Sequence, residues 1–427
     1  MMELIKWEGK KLIKTPALWL LFFLFMAFDL FYVSTKAGMS GDIKLINEVL
    51  GVTGIKIDDS FMERLNEINE TKRGEAVQVY QKTRNSPENN IEIIQENYYS
   101  KGEYRYFSKK QQKVLEDAFC LNAYQHSAEQ RNQYYEGFDI RTIKESSYQM
   151  MLFPPEGTVK EFIDKNYERL QERVKDIVAT GEKDTAFFTG TVYGMHTFLF
   201  SGIFMLIIFE MMILTSLLTL HSLCYEYSGK TDQLVFSTKS GRNIMKQKWL
   251  ISLMTSLGAG VALLTVTLSY YFYLFPYSNV WNSYISSALN TEKRGLFLYP
   301  FITWEPITVK GFLLESMLAV LFFIVIFALL SGGVGLLIKQ SYLSFIMIIC
   351  SYTVLYLMMG RLRTNTYLDL ATYVSPVTLW LQSYGLNSEK GLYTSYSHFE
   401  QITIGLWSCF GSFFLLGAGK LFHRRNL

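Results

Sequence analysis

Two long apolar runs, residues 196–220 and 249–275, flank a polar segment at 221–248, and this arrangement limits the fold more than any other feature of the sequence. A helix needs about 20 apolar residues to cross the hydrocarbon core of a bilayer at about 1.5 Å per residue, and both runs reach that length. The polar segment carries five Lys and Arg residues against two acids, a bias typical of a short cytoplasmic loop. The sequence therefore predicts an integral membrane protein whose largest internal loop is this segment.

Four further apolar runs bring the number of predicted transmembrane helices to six. They lie at residues 17–35, 311–338, 341–359 and 401–419. In the fourth predicted helix, the small residues between Ser331 and Gly335 indicate close packing against a neighbouring helix. No cleavage site of the Ala-x-Ala type follows the first run, which is therefore interpreted as a retained span rather than a signal peptide.

The distribution of basic residues predicts which segments lie inside the cell. Short segments on one side of the predicted bundle hold 13 Lys and Arg residues, and those on the other side hold six. The positive-inside rule then places both termini in the cytoplasm, including a tail at 420–427. The other side is expected to hold an outer loop at 276–310 and an outer segment at 360–400 with a re-entrant or interfacial helix.

Residues 1–16 are predicted to form an amphipathic helix on the inner leaflet of the membrane. Four lysines surround a set of apolar residues, among which Trp7 and Leu12 are expected to share one face. This helix provides a second cytoplasmic surface beside the polar segment.

Residues 36–195 form a polar region that is long enough to fold around its own core. The region holds 22 basic and 26 acidic residues, whereas the rest of the chain holds 19 and 12. Its apolar residues recur at three-to-four spacing, and Ser108 with Gln111 and Thr158 with Glu161 match the capping box of a helix start. The expected fold class is an all-α membrane protein with six transmembrane helices and a mainly helical extracellular domain between the first two.

An aromatic cluster in this extracellular region allows two interpretations. Its members are Tyr98, Tyr99, Tyr104, Tyr106 and Phe107. Such side chains either pack together in a core or contact a ligand, and the sequence leaves both open.

Two carboxylates lie within the predicted spans, where charged groups are costly and therefore informative. Asp29 is four residues from the end of its run, so it occupies either the membrane interface or a polar pathway. Glu210 is near the middle of its run, and its position indicates either an interhelical polar contact or a transport path. Because the two are expected at different depths, they are not predicted to form the paired acids of an intramembrane enzyme.

The sequence lacks the motifs of an enzyme, a metal site or a nucleic-acid-binding protein. Residues 228–231 match the end of a phosphate-binding loop, but Cys224 stands where that motif needs its first glycine. The histidines and cysteines are scattered, which argues against zinc and disulfides, and the basic residues lie in short loops rather than on one face. We therefore expect no catalytic residue, no metal site, no cofactor bound by this chain and no nucleic-acid partner.

The polar segment at 221–248 also carries a recognisable pattern. Glu226 lies at the end of one span, Gly229 follows, a stretch of apolar and serine residues leads to Arg242, and Lys248 precedes the next span. This pattern resembles the cytoplasmic loop of the permease subunits of type-2 ATP-binding-cassette (ABC) exporters. The resemblance covers the membrane part, roughly 260 residues, and some bacterial members of that family carry a large domain between the first two spans.

The resemblance implies a transport subunit that performs no chemistry itself. In that family the loop docks on a separate cytoplasmic subunit that binds ATP and Mg²⁺. The resemblance therefore implies that the residues coupling this chain to such a subunit are Glu226, Gly229, Arg242 and Lys248. The expected partners are that subunit, the lipid bilayer and a second permease chain, identical or related. The expected location is the bacterial plasma membrane, and the expected cargo is an exported amphipathic substrate such as a peptide, an antimicrobial or a lipid-like molecule.

Two other interpretations stay open at this point. The polar segment is alternatively a solvated loop whose charges only orient the neighbouring spans. The chain is alternatively a membrane sensor or binding protein whose outer domain detects an extracellular ligand.

Overall fold

The computed structural model describes residues 2–151, 154–189, 193–238, 241, 244–294, 297–359 and 367–424. It is mostly helical. In chain order the helices are α1 (Met2–Ile13), α2 (Pro16–Ser34), α3 (Ser40–Thr53), α4 (Asp59–Arg84), α5 (Ile91–Ser100), α6 (Lys109–Glu129), α7 (Arg141–Met150), α8 (Gly157–Thr180), α9 (Tyr193–Thr197), a π-helix (Phe198–Ile203), α10 (Phe204–Ser228), α11 (Asp232–Phe236), α12 (Ile244–Leu274), α13 (Val309–Ile338), α14 (Ser341–Met358), α15 (Tyr367–Tyr373), α16 (Pro376–Leu381) and α17 (Phe399–Arg424).

Six of these helices are long and apolar enough to cross a membrane, which confirms the number of spans expected from the sequence and is in keeping with a multi-pass membrane protein. They are α2, the π-helix continued by α10, α12, α13, α14 and α17. The second of these spans is the central one, because most of its apolar window is buried against neighbouring helices. The first, fifth and sixth expose most of their apolar surface, as lipid-facing helices do.

The polar segment at 221–248 is shorter as a loop than the sequence suggested. α10 continues to Ser228, and α12 begins at Ile244. The helices therefore extend past the charged residues at the ends of the two apolar runs. Glu226 and Lys248 form an ion pair in these extensions, and both side chains are buried.

Small residues in α13 permit the close helix packing that the sequence predicted. Gly333 faces Phe414, whose ring carbons lie 2.4 Å from the position that a Cβ atom would take. Gly332 approaches Trp249 in the same way at 2.7 Å, and the hydroxyl groups of Ser331 and Ser216 lie 3.0 Å apart. Any side chain at these two glycines would push neighbouring helices away from α13.

The domain between the first two spans is helical, as predicted, and contains α3 to α8. The Ser108–Gln111 capping box is present, whereas the one predicted at Thr158 is wrong. The N-cap residue of α8 is Glu156, and the Thr158 hydroxyl instead lies 2.9 Å from that of Tyr367, outside the domain. The Thr158 side chain therefore makes a tertiary contact with Tyr367 instead of capping the start of α8.

This domain has two parts with different partners. Helices α4, α5 and α6 enclose a core of their own, in which Tyr98 and Phe107 are buried. Helices α7 and α8 instead share a core with residues of the predicted outer loops, such as Ile302 and Tyr393. The aromatic cluster is therefore divided, because Tyr99 and two other members remain exposed.

The outer loop at 276–310 contains a structure that the all-α prediction lacks. Strands β1 (Thr291–Arg294) and β2 (Phe297–Pro300) pair antiparallel, with Thr291 opposite Pro300. Strands of four residues are too short for an alternating pattern to be recognised. In the segment at 360–400, α16 begins at a serine N-cap, and the indole of Trp380 donates a hydrogen bond to the Met205 carbonyl oxygen of α10.

His196 of α9, two residues before the second span begins at Phe198, is buried between the rings of Phe187 and Phe200. Burial, and then the charge of Lys390, lowers the pKa of His196 to about 3. The unfolded histidine takes up a proton near pH 6.5, so the folded protein is expected to lose stability as the pH falls from about 6.5 towards 3.

In His196→Gln the drop in the thermal unfolding midpoint between pH 7.5 and pH 5 should be smaller than in the wild type. His126→Gln, which changes an exposed histidine, is the control, and an unchanged pH response in His196→Gln would contradict this account.

Candidate functional site

Four charged side chains from α1, α10 and α12 meet at one end of the bundle, here called the α1 end. Lys248 Nζ lies 2.7 Å from Glu8 Oε2 and 2.8 Å from Glu226 Oε1. Lys11 Nζ lies 2.7 Å from the other oxygen of Glu8 and 3.4 Å from Glu226 Oε1. Glu8, Lys11, Glu226 and Lys248 are called the charged cluster below. The two lysines and the two glutamates of the charged cluster neutralise each other.

The charged cluster is largely withdrawn from water. Lys248 is 0% exposed and also donates a hydrogen bond to the Ser222 carbonyl oxygen at 3.3 Å. Burial alone would raise the pKa of Glu8, but the hydrogen bonds and charges of Lys11 and Lys248 outweigh it and hold this pKa below its ordinary value. Burial would likewise lower the pKa of Lys11, and the two glutamates raise it instead. Glu8 and Lys11 are therefore ionised at neutral pH, and the ion pairs hold α1 against the end of α10 and the start of α12.

This arrangement changes the roles expected for the sequence-predicted residues. Glu226 and Lys248 are buried and form an ion pair with each other. Gly229 is exposed just after α10, and its N–H group bonds to the Tyr225 carbonyl oxygen at 3.0 Å. Arg242 lies outside the described residues.

Sequence reasoning missed Glu8, although a signal for it exists. Glu8 lies four residues before Leu12, so both occupy the side of α1 that faces the bundle, and both are buried. Trp7, which was expected to share a face with Leu12, is exposed. An acid on the buried stripe of an amphipathic helix predicts a buried cation on another element, and here Lys248 supplies it.

The short helix α11 divides its side chains between the protein and its surroundings. Phe236 is buried in an apolar cluster to which four spans contribute, called the end cluster below. The other members of the end cluster are Leu223, Met245, Leu336, Ala418 and Phe422. Leu234, two residues before Phe236, is 74% exposed. The helix therefore presents a large apolar side chain outward while its own position is fixed to the ends of α10, α12, α13 and α17.

Asp29 and Glu210 lie together inside the membrane-spanning part, contrary to the expectation of different depths. Both are buried, their carboxyl groups are close enough to interact, and the Thr267 hydroxyl donates to Asp29 Oδ2 at 2.8 Å. Side chains lean towards the N-terminus of their own helix, and α2 and α10 are antiparallel, so these two lean towards each other. The structure thus shows an interhelical polar contact between α2, α10 and α12.

Comparison with known proteins adds no relative to this description. No family model, no curated protein and no solved structure matches the chain.

Proposed function

We propose that this chain is the membrane-spanning permease subunit of an ABC exporter, and that ATP is hydrolysed on a separate cytoplasmic subunit. The single observation that carries the proposal is the position of α11. Leu234 is 74% exposed at the tip of the segment between α10 and α12, on a helix that Phe236 fixes to the end cluster. We take Leu234 as the apolar anchor of a protein contact, because a few large side chains near the centre of an interface supply most of its binding free energy.

The end cluster gives such a contact a mechanical consequence. It joins α11 to the ends of α10, α12, α13 and α17, so a partner that moves Leu234 also displaces four spans. Packed cores move between discrete arrangements rather than deforming continuously. An ATPase subunit that closes on ATP and Mg²⁺ would then drive a rearrangement of the bundle through α11.

The charged cluster supports the proposal by making the α1 end rigid. Lys248 and Lys11 tie α1 to the base of α10, so α1 moves together with the segment that carries α11. The surface for the ATPase subunit then includes both helices, with the charged cluster as its internal support. Arg242, which follows α11 in sequence, belongs to the same expected surface.

Orientation and cargo complete the proposal. In this proposal the α1 end lies in the cytoplasm of a bacterium and the helices α3 to α8 lie outside the plasma membrane, which the excess of basic residues at the α1 end favours. Two permease chains pair in the bilayer, and an amphipathic substrate such as a peptide, an antimicrobial or a lipid-like molecule leaves along their interface. The buried Asp29 and Glu210 contact three spans of one chain, where a bundle rearrangement would separate or join them.

Replacing Leu234 with glutamate is expected to disrupt the association with the ATPase subunit. A charge at the centre of an apolar contact costs at least about 2 kcal/mol, so recovery of the partner should fall about tenfold or more. The measurement is ATP hydrolysis that co-purifies with the tagged chain after extraction in mild detergent, with the partner identified by mass spectrometry.

Leu298→Glu is the matched control, because Leu298 is an exposed leucine of β2 in the outer loop rather than at the α1 end. This variant should retain the co-purifying hydrolysis of the wild type. Equal hydrolysis in Leu234→Glu and wild type would contradict the role of α11. A wild-type chain that purifies without an ATPase subunit would favour the sensor interpretation instead.

A further inference from the structure

A cavity of about 510 Å³ opens in the outer domain where the first span leaves the membrane. Gly38 and Met39, a few residues after the end of α2, form one side of it, and residues of α3, α5 and α6 together with Thr189 form the rest. Its volume lies in the range of small-molecule binding sites, about 300–1,000 Å³. Its position gives an amphiphile that has partitioned into the adjacent leaflet a short route into the domain.

The charges along the cavity are of one sign. Asp42 of α3 and Glu116 of α6 line it, and no Lys, Arg or His side chain does so among the described residues. Lys113 of α6 lies close by, with its Nζ 4.0 Å from the position that a Cβ atom of Gly41 would take, but it is exposed and pairs with Asp117 at 3.1 Å. After the larger effect of burial, the charges of Asp42 and Asp117 help raise the pKa of the Cys120 thiol in the cavity wall to about 12. The cavity therefore favours a cation.

Aromatic and apolar groups lie beside these carboxylates. Tyr99 and Phe119 line the cavity and contact each other, with ring centroids 5.9 Å apart. Tyr99 is exposed and has a face available for a cation, while Phe119 and Ile46 are buried in the wall. A ligand that satisfies this surface carries an apolar body next to its positive charge.

A buried hydroxyl group provides independent evidence for a ligand. Tyr124 lines the same cavity and is 2% exposed, and its hydroxyl has no hydrogen-bond partner within the described part of the chain. Leaving such a group unpaired costs about 1–3 kcal/mol, so buried hydroxyls are almost always bonded. A ligand with a carbonyl oxygen would accept the missing hydrogen bond.

We propose that this cavity binds a short segment of a cationic amphiphilic peptide. A lysine or arginine side chain of the peptide lies between Asp42 and Glu116, its apolar neighbours pack on Phe119, and a peptide carbonyl accepts a hydrogen bond from Tyr124. As the substrate class of an exporter this inference rests on the proposed function, whereas the binding itself does not.

The test uses the full chain in nanodiscs of zwitterionic phosphatidylcholine, which does not attract cationic peptides by charge. The probe is a fluorescently labelled amphipathic peptide of lysine and leucine, and its uncharged analogue has glutamine at every lysine. Fluorescence anisotropy should show saturable binding of the lysine peptide, and at least about tenfold weaker binding of the analogue.

Two variants separate the contributions of charge and hydroxyl. Asp42→Asn/Glu116→Gln should weaken binding about tenfold, while Glu63→Gln/Glu67→Gln, which removes two exposed carboxylates of α4, should stay within about twofold of the wild type. Tyr124→Phe should weaken binding about threefold without lowering the thermal unfolding midpoint, because the lost hydroxyl has no protein partner.

Each contrary outcome overturns the proposal. The first is that the wild type shows no saturable binding of the lysine peptide. The second is that Asp42→Asn/Glu116→Gln binds the peptide as tightly as the wild type. The third is that the wild type binds the uncharged analogue as tightly as the lysine peptide. Full competition by dodecyltrimethylammonium together with unchanged binding by Tyr124→Phe would reduce the cavity to a general cation site and also overturn it. No ATPase subunit is present in the nanodiscs, so this result and the Leu234 result can fail separately.

Discussion

Replacing Lys248 with methionine is expected to destabilise the folded protein by about 3–5 kcal/mol. Lys248 is fully buried, and its Nζ lies 2.7 Å from Glu8 and 2.8 Å from Glu226. Methionine keeps most of the side-chain volume but leaves two buried carboxylates with only Lys11 between them. Removing one partner of a buried ion pair is costly because the remaining charge is neither hydrated nor compensated.

The measurement is the thermal unfolding midpoint of the purified chain in detergent, followed by tryptophan fluorescence. Lys246→Met is the matched control, because Lys246 is exposed only two residues away, and its free energy of unfolding should change by no more than about 0.5 kcal/mol. Neutralising both carboxylates in Lys248→Met/Glu8→Gln/Glu226→Gln should recover part of the lost stability. Equal midpoints for Lys248→Met and Lys246→Met would show that the charged cluster contributes little.

The charged cluster also shows which features of the structure could be predicted from the sequence and which could not. The spans were predictable because membrane thickness sets their length, and the Ser108–Gln111 capping box because both partners lie within one turn. The partnership of Glu8 with Lys248 joins residues 240 positions apart, and no local pattern specifies it. Sequence reasoning identified Lys248 as notable and assigned it to a partner protein rather than to α1.

The same limit applies to the pair within the spans and to the outer cavity. Asp29 and Glu210 were each recognised as informative, but their depths in the membrane were judged from their positions along the apolar runs. That estimate ignores that side chains on two antiparallel helices lean in opposite directions, which brings these two together. Tyr124 gives no signal in the sequence, because a tyrosine on the buried face of α6 is ordinary until its hydroxyl lacks a partner. Tyr99 was noticed in an aromatic cluster, and only the fold separates it from the buried Tyr98.

A second large effect is expected where α8, between the first two spans, meets the loop at 276–310. Arg173 of α8 forms a buried bidentate ion pair with Glu182, with N–O distances of 2.8 and 2.6 Å. The Arg173 Nε–H donates to the Thr303 carbonyl oxygen at 3.2 Å, and the Ser286 hydroxyl donates to Glu182 at 2.7 Å. This pair therefore links α8 to the outer loop at 276–310.

Arg173→Met should cost about 3–5 kcal/mol of stability, because Glu182 then stays buried with hydroxyl donors alone. Hydrogen exchange should show faster exchange in α8 and in the outer loop, with little change in α4 to α6, which have a separate core. Arg169→Met, one turn away on the exposed face of α8, is the control and should leave exchange unchanged.

The pH dependence of this loss has a defined sign. Burial would raise the pKa of Glu182, but Arg173 and Ser286 outweigh it, so the folded pKa lies below the ordinary value of 4.5. The stability from this group is present above pH 4.5 and is lost as the pH falls through the folded pKa. The difference in unfolding midpoint between wild type and Arg173→Met should therefore be largest near neutral pH and narrow below pH 4.5. A difference that stays constant across this range would assign the loss to packing of the arginine stem rather than to the ion pair.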